Sequence, residues 1–389
     1  MTIQYFQGVG AEADDQANAG RGKLALVPNG DVGPPLLRLA CRDAVGRPAD
    51  EQDMLAHIID VITSGGYTFS RALVVDYYVS LKTNPFVILT GAEGRGKTAF
   101  VQLFAEALVG RDSSQYALIP GGASWPSSTG EDSYYRSLLE HFISWRFLDL
   151  LQEASDPGNV GKVYLICFDG LHPDELEFYF ATLLQVTPEG EKRLNLPGFP
   201  VDRQPVVPPN VYITATVNVA EHTYALSPNV LRRAGLIEFR APPSMRTVAE
   251  RPARATVPPP VGYQRLWLRA ALHDVEAARN RLNAILGPDH FSRLRSSPDL
   301  ARLLWRGGVV LTTQTLHDLT TYIANSFDER GHGLFDPHDP QRNAGIAYDA
   351  QVVQRVLWKL RQSDDGELRQ DLADYLDQIA LTAWQQAVA

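Results

Sequence analysis

A glycine-rich segment of this chain could bind the phosphates of a nucleotide. It has the order glycine, four residues, glycine, lysine and threonine that is typical of a P-loop. The glycines let backbone N–H groups wrap around a phosphate, Lys97 reaches the outer phosphates, and the Thr98 hydroxyl can bind Mg²⁺. The predicted nucleotide-binding residues are Gly91, Ala92, Glu93, Gly94, Arg95, Gly96, Lys97, Thr98 and Ala99.

A hydrophobic run that ends in an aspartate could complete a magnesium site. The segment VYLICFDG places Asp169 directly after its apolar residues. P-loop proteins place the carboxylate that holds Mg²⁺ at such a strand end. We therefore predict Thr98 and Asp169 as the metal-binding residues, with Mg²⁺ bound together with ATP or GTP. The choice between ATP and GTP stays open, because the contacts to the base have no readable pattern.

The segments around these residues predict a parallel α/β sheet. FVILT at 86–90 is a short apolar run of β-forming residues, and TAFVQLFAEALVG after the glycine loop has an apolar stripe at helical spacing. Helical patterns, including DELEFYFATLLQV, alternate with further strand-like runs, as in proteins with a parallel sheet. These runs are 163–168, 211–217 and 236–239.

Two helices are predicted before the sheet. Residues 51–63 carry apolar residues at helical spacing, and Gly65 and Gly66 end that helix. Ser70 can cap a second helix, RALVVDYYVSLKT, which ends at Asn84-Pro85. Both helices would lead into the strand that carries the glycine loop.

Composition shifts divide the chain into four predicted parts. The α/β part is interrupted by a Pro-rich inserted loop at 187–210, and strand patterns nearly vanish after a second Pro-rich stretch. The predicted parts are a loosely ordered arm at 1–50, a nucleotide-binding α/β domain at 51–241, a linker at 242–262 and a mostly helical lid domain at 263–389.

The charge and the apolar pattern exclude several classes of protein. The net charge is -9, whereas a free-standing DNA-binding protein is usually basic, so any contact with DNA is local or indirect. No stretch approaches the roughly 18 unbroken apolar residues of a membrane helix, and the N-terminus lacks a secretion-signal pattern. Cys41 and Cys167 are too few for a disulfide framework or a zinc site. We expect a cytoplasmic protein with no membrane partner.

Residues 210–239 are the most discriminating segment. A strand ends at Asn218, an acid follows at Glu221, and the pair Arg232-Arg233 precedes the next strand. This arrangement resembles the AAA+ motor of the McrB family, the nucleotide-driven subunits of modification-dependent restriction systems. The resemblance implies a sensor role for Asn218 and an arginine-finger role for Arg233, which with Asp169 form the predicted catalytic set.

The resemblance extends over about 50–389, the lid more faintly than the core. It implies a ring-type self-oligomer, such as a hexamer, that works with a McrC-like or other nuclease subunit and reaches DNA through the complex. The further segments that resemble the family are TFSRALVVDYYVSLKTNPFVILTGAEGRGKT, ASWPSSTG with Trp125, DELEFYFATLLQV, and AYDAQVVQRVLWKL at 347–360.

The departures from the family pattern concern hydrolysis. The family follows its magnesium-binding aspartate with a glutamate that orients the attacking water, and Gly170 stands there. The usual asparagine two positions further on is His172, and a lid arginine that touches the γ-phosphate aligns with Gln314. Glu175 could replace the missing carboxylate, or it could only stabilise the start of a helix.

Two other hypotheses therefore stay open. One is a catalytically weak AAA+ subunit that uses nucleotide as a structural switch, which Gly170 favours. The other is a MoxR-like ATPase that remodels proteins, which binding to a DNA-directed partner would argue against.

Overall fold

The computed structural model describes most of the nucleotide-binding region and much of the region after it. The described residues are 50–121, 146–171, 176, 184–186, 192–195, 204–218, 230, 234–239, 244–245, 259–260, 262–288, 298–308, 312–357 and 365–379. Several predictions lie outside these residues, namely those on the arm at 1–49, Trp125, His172, Glu175, Glu221, Arg233 and most of the linker at 242–262.

Both predicted helices before the sheet are present. Helix α1 spans Glu51–Ser64 and begins at Asp50, whose side chain accepts a hydrogen bond from the Gln52 amide. Helix α2 spans Arg71–Thr83, and the Ser70 side chain caps it by accepting from the Leu73 amide. Such caps satisfy amides that have no partner inside the helix, and they fix where each helix starts.

The main sheet has five parallel strands in the order β3-β4-β7-β2-β8. Strand β2 therefore lies between β7 and β8, and it is followed by helix α3, Lys97–Val109. In chain order the strands among the described residues are β1 Tyr67–Thr68, β2 Phe86–Gly91, β3 Tyr116–Pro120, β4 Tyr164–Leu171, β5 Leu184–Val186, β6 Lys192–Leu194, β7 Val211–Asn218, β8 Gly235–Glu238 and β9 Ser244–Met245.

The short antiparallel pair of β1 with β9 was not predicted, and β9 lies in the predicted linker. Two further differences concern β3 and β5. Strand β3 was missed, because it is a short edge strand in which Ile119 alone is buried and Pro120 ends it. The last three residues of DELEFYFATLLQV form β5 instead of helix, and β5 pairs antiparallel with β6 inside the predicted loop at 187–210. A local pattern does not show which distant segment a short strand will pair with, so both were hard to predict.

Helices cover the sheet and dominate the described residues after 262. One hydrophobic core joins α1, α2 and α3 to the later helices through Trp267, whose ring contacts those of Tyr78, Phe104 and Tyr212. The predicted fold class, a P-loop parallel sheet flanked by helices and followed by a mostly helical region, is confirmed. The other α-helices that the structure describes are α4 Phe147–Ser155, α5 Tyr263–Ala270, α6 Val275–Leu286, α7 Pro298–Arg306, α8 Thr313–Asn325, α9 Pro340–Gln351 with a π-helix Val352–Leu357 after it, and α10 Gly366–Ile379.

Within the described residues, no helix has both the length and the apolar character needed to cross a membrane.

Buried polar groups connect α1, α2 and α8. The Lys82 ammonium donates to the Glu51 carboxylate at 2.6 Å and to the Asn325 carbonyl at 3.1 Å. The Tyr78 hydroxyl donates to the same Glu51 oxygen at 2.6 Å. A charge buried without a partner is costly, so these bonds fix how α8 lies against the helix that leads into the P-loop strand.

A half-buried group, Asp76 on α2, should make stability depend on pH. Its carboxylate accepts hydrogen bonds from Tyr322 and from Gln354, the latter at 2.7 Å. Burial raises the pKa of Asp76 to about 6, although these bonds and one from Ser80 oppose the rise. The folded state therefore holds this proton more tightly than the unfolded chain, whose aspartate has a pKa of about 3.9. This group thus destabilises the fold as the pH rises towards and through about 6.

We expect the free energy of unfolding of the wild type, relative to that of Asp76→Asn, to rise by about 1 kcal/mol between pH 8 and pH 5. Urea unfolding of both proteins at each pH measures it, and taking the difference cancels the titration of every other group. A difference that stays constant over this range would show that Asp76 does not titrate there.

Candidate nucleotide-binding site

The P-loop connects the end of β2 to the start of α3. Gly94 and Gly96 have φ angles of 75° and 81°, in the left-handed region that favours glycine. Gly91 approaches the residue after β8 so closely that a Cβ would stand 2.6 Å from the Phe239 carbonyl oxygen. The glycines thus serve the backbone geometry of the loop. They leave the N-terminus of α3 at the carboxyl edge of the sheet, a position that favours anions.

Lys97 is held against the loop that precedes it. Its ammonium donates to the Gly91 carbonyl at 2.8 Å and to the Ala92 carbonyl at 2.9 Å. Burial lowers the pKa of Lys97, and the nearby carboxylates of Asp169 and Glu93 counteract this. The positive charge is therefore already located inside the loop where phosphates would bind.

Thr98 and Asp169 are in contact at the carboxyl edge of the sheet, although they lie 71 residues apart in the chain. The Thr98 hydroxyl donates a hydrogen bond to Oδ1 of Asp169. A hydroxyl and a carboxylate are the oxygen ligands that Mg²⁺ prefers, usually completed by phosphates and water. The donor set at this point therefore fits the predicted metal.

Thr216 on β7 also contacts Asp169, and the sequence analysis did not identify it. Its hydroxyl donates to Asp169 Oδ1 at 2.7 Å and accepts from the Gly170 amide at 2.8 Å. The sequence pointed to Thr216 only weakly. It is a polar residue in the apolar run VYITATV, and it lies two residues before Asn218 and thus on the same face of the strand.

Gly170 lies in an irregularity of the β4–β7 ladder. Phe168 pairs with Ala215 and Leu171 pairs with Val217, so Asp169 and Gly170 together stand opposite Thr216. This is the geometry of a β-bulge, and the φ of Gly170 is 70°. Among the described residues, no heavy atom lies within 4 Å of where its Cβ would be.

Asn218 reaches the same edge of the sheet. It is the last residue of β7, it is exposed, and it pairs in register with Gly91 at the start of the P-loop. The structure therefore brings Asn218 close to the loop backbone. Gln314 lies on α8, is exposed, and donates to Asp318 of its own helix at 2.9 Å.

The strand order, with the P-loop strand between β7 and β8, together with the P-loop itself defines an α/β fold of the AAA+ type. No protein-family model matches the chain, and no curated protein matches it. Among solved structures, a protein named "putative ATPase" from Cytophaga hutchinsonii is similar, with 13% identity over 71% of this chain and 79% of that one, at a TM-score of 0.37. PCH-2 of C. elegans is also similar, with 13% identity over 76% of this chain and 72% of that one, at a TM-score of 0.27.

Proposed function

We propose that this chain binds ATP or GTP with Mg²⁺ and works as a McrB-like AAA+ subunit of a cytoplasmic restriction or anti-phage defence complex. The observation that carries the nucleotide part is the contact between Thr98 of the P-loop and Asp169 near the carboxyl end of β4, which is separated from the P-loop strand by β7. Separate parts of the chain place the two oxygen ligands together beside Lys97, where the charge of a triphosphate would need them.

Each residue has a distinct part in this proposal. Lys97 leaves the Gly91 and Ala92 carbonyls to contact the outer phosphates, and the N-terminus of α3 adds its positive end. Thr98 and Asp169 hold Mg²⁺, which when bound neutralises charge on the phosphates. Asn218 faces the same edge and would sense the terminal phosphate.

The assignment to a McrB-like complex rests on residues 210–239, where Asn218, Glu221 and Arg233 follow the order of that family. The sequence has no nuclease constellation of its own, so DNA cleavage would come from a McrC-like or other nuclease subunit. The net charge of -9 agrees with DNA being reached through the complex.

Co-expression with a candidate McrC-like nuclease subunit tests this role. We expect a stable complex that cleaves DNA when ATP or GTP is present and does not cleave it without nucleotide. Lys97→Ala in the same complex should abolish cleavage. Nucleotide-dependent unfolding of a protein substrate, with no nuclease bound, would instead support the MoxR-like alternative.

A catalytically weak subunit is the second candidate, and the conformation of Gly170 favours it. This position carries no carboxylate, and its φ of 70° is one that side-chain-bearing residues rarely adopt. Nucleotide would then act through occupancy, by stabilising one assembled state, with little turnover.

Assembly itself gives a further test. A ring would place Arg233 beside the nucleotide of the neighbouring subunit, where its charge stabilises the transition state. We expect light scattering to show a ring-sized particle with a non-hydrolysable nucleotide and smaller species without it. Arg233→Ala should lower hydrolysis while nucleotide binding persists. A strict monomer, with and without the nuclease partner, would argue against the ring.

A further inference from the structure

Thr216 occupies a position where one side chain must both accept and donate a hydrogen bond. The irregularity between β4 and β7 puts Asp169 and Gly170 opposite this single residue, so the Gly170 amide has no place in the regular ladder. The Thr216 hydroxyl accepts from that amide at 2.8 Å and donates to Asp169 Oδ1 at 2.7 Å. A single hydroxyl group can accept one hydrogen bond and donate another.

We propose that Thr216 is a positioning residue that holds the Asp169 carboxylate ready for Mg²⁺, an inference that rests on the proposed nucleotide site. Asp169 Oδ1 accepts from both Thr98 and Thr216. The Thr98 oxygen would also be a ligand of Mg²⁺, whereas the Thr216 hydroxyl has no role as a ligand. Thr216 would therefore hold the carboxylate in place whether or not the Thr98 hydroxyl still donates to it once a metal is bound.

Burial makes this role specific to Thr216. The side chain is 1% exposed, so water does not replace its hydrogen bonds. A valine has nearly the same shape but would leave the Gly170 amide without its acceptor and Asp169 without one of its two donors. Residues that orient a metal ligand typically affect metal affinity by about 10- to 100-fold.

Thr214 provides a matched control on the same strand and the same face. It is also buried, but its hydroxyl bonds to the Tyr77 hydroxyl at 2.7 Å and not to Asp169. Thr214→Val therefore removes a buried hydroxyl from β7 without touching the metal ligands. Any general loosening of the strand should appear in both variants.

The test is the magnesium enhancement, defined as the ratio of nucleotide affinity in Mg²⁺ to that in EDTA, measured with fluorescent mant-ATP and mant-GTP. We expect Thr216→Val to lower it by about tenfold while affinity in EDTA stays unchanged. Thr216→Ser, which keeps the hydroxyl, and Thr214→Val should keep the wild-type enhancement. If Thr216→Val does not fold, as judged by thermal melting, Thr216→Ala replaces it with the same expectation.

The outcomes separate this inference from the proposed function. A wild-type enhancement that persists in Thr216→Val, or falls equally in Thr214→Val, overturns the positioning role and leaves the nucleotide site standing. A wild type without any magnesium-dependent nucleotide binding overturns the proposed site and the positioning role together.

Discussion

The wild-type chain alone should hydrolyse ATP or GTP slowly, and Gly170→Glu should raise that rate. Phosphoryl transfer depends on positioning and electrostatics. Gly170 offers no carboxylate to hold the attacking water, and losing a general base costs about 10²- to 10⁴-fold in rate. Nucleotide binding should survive, because Lys97, Thr98 and Asp169 are all in place.

The conformation of Gly170 limits how much rate the glutamate can restore. Its φ of 70° costs an ordinary residue roughly 1–2 kcal/mol, although the described residues leave room for a Cβ. Gly170→Gln is the matched control, since it has the same backbone strain and length without the charge. Phosphate release from single-turnover reactions should therefore increase in Gly170→Glu and not in Gly170→Gln.

An ordinary wild-type rate, unchanged by either substitution, would contradict this prediction. Glu175 or a residue from a partner would then orient the water, and the catalytically weak alternative would be wrong. Glu175→Gln separates these two sources, because it should lower the rate if the carboxylate comes from this chain.

Replacing Lys97 by alanine should weaken nucleotide binding by about 10²-fold. A hydrogen bond to a charged group contributes about 1.5–3 kcal/mol, and about 1.4 kcal/mol corresponds to a factor of ten in affinity. The loss should be near the upper end, because the charge-assisted contact is to phosphate and the side chain is 5% exposed.

Isothermal titration calorimetry with ATP and GTP analogues measures this effect. Lys162→Ala is the control, since Lys162 is exposed just before β4, at the opposite end of the sheet from the P-loop. It should bind like the wild type. Equal affinity of Lys97→Ala and the wild type would refute the assignment of the P-loop as the nucleotide site.

The local parts of the site could be predicted from the sequence alone. The P-loop depends on residues that are adjacent in the chain, so its glycines, Lys97 and Thr98 are visible as a pattern, as are β2 before it and α3 after it. Asp169 and Asn218 could be found because each directly follows a run of buried, apolar strand residues. In a parallel sheet the carboxyl ends of such strands lie at one edge.

Pairings between distant segments were decided by the tertiary structure. The bond from Thr216 to Asp169 and the bulge at Gly170 depend on the register of β4 against β7, which no local pattern encodes. The same holds for the contact of Asp76 with Tyr322, 246 residues later. Local sequence determines the backbone of a loop or a helix, but a buried polar side chain finds its partner only when the strands and helices pack.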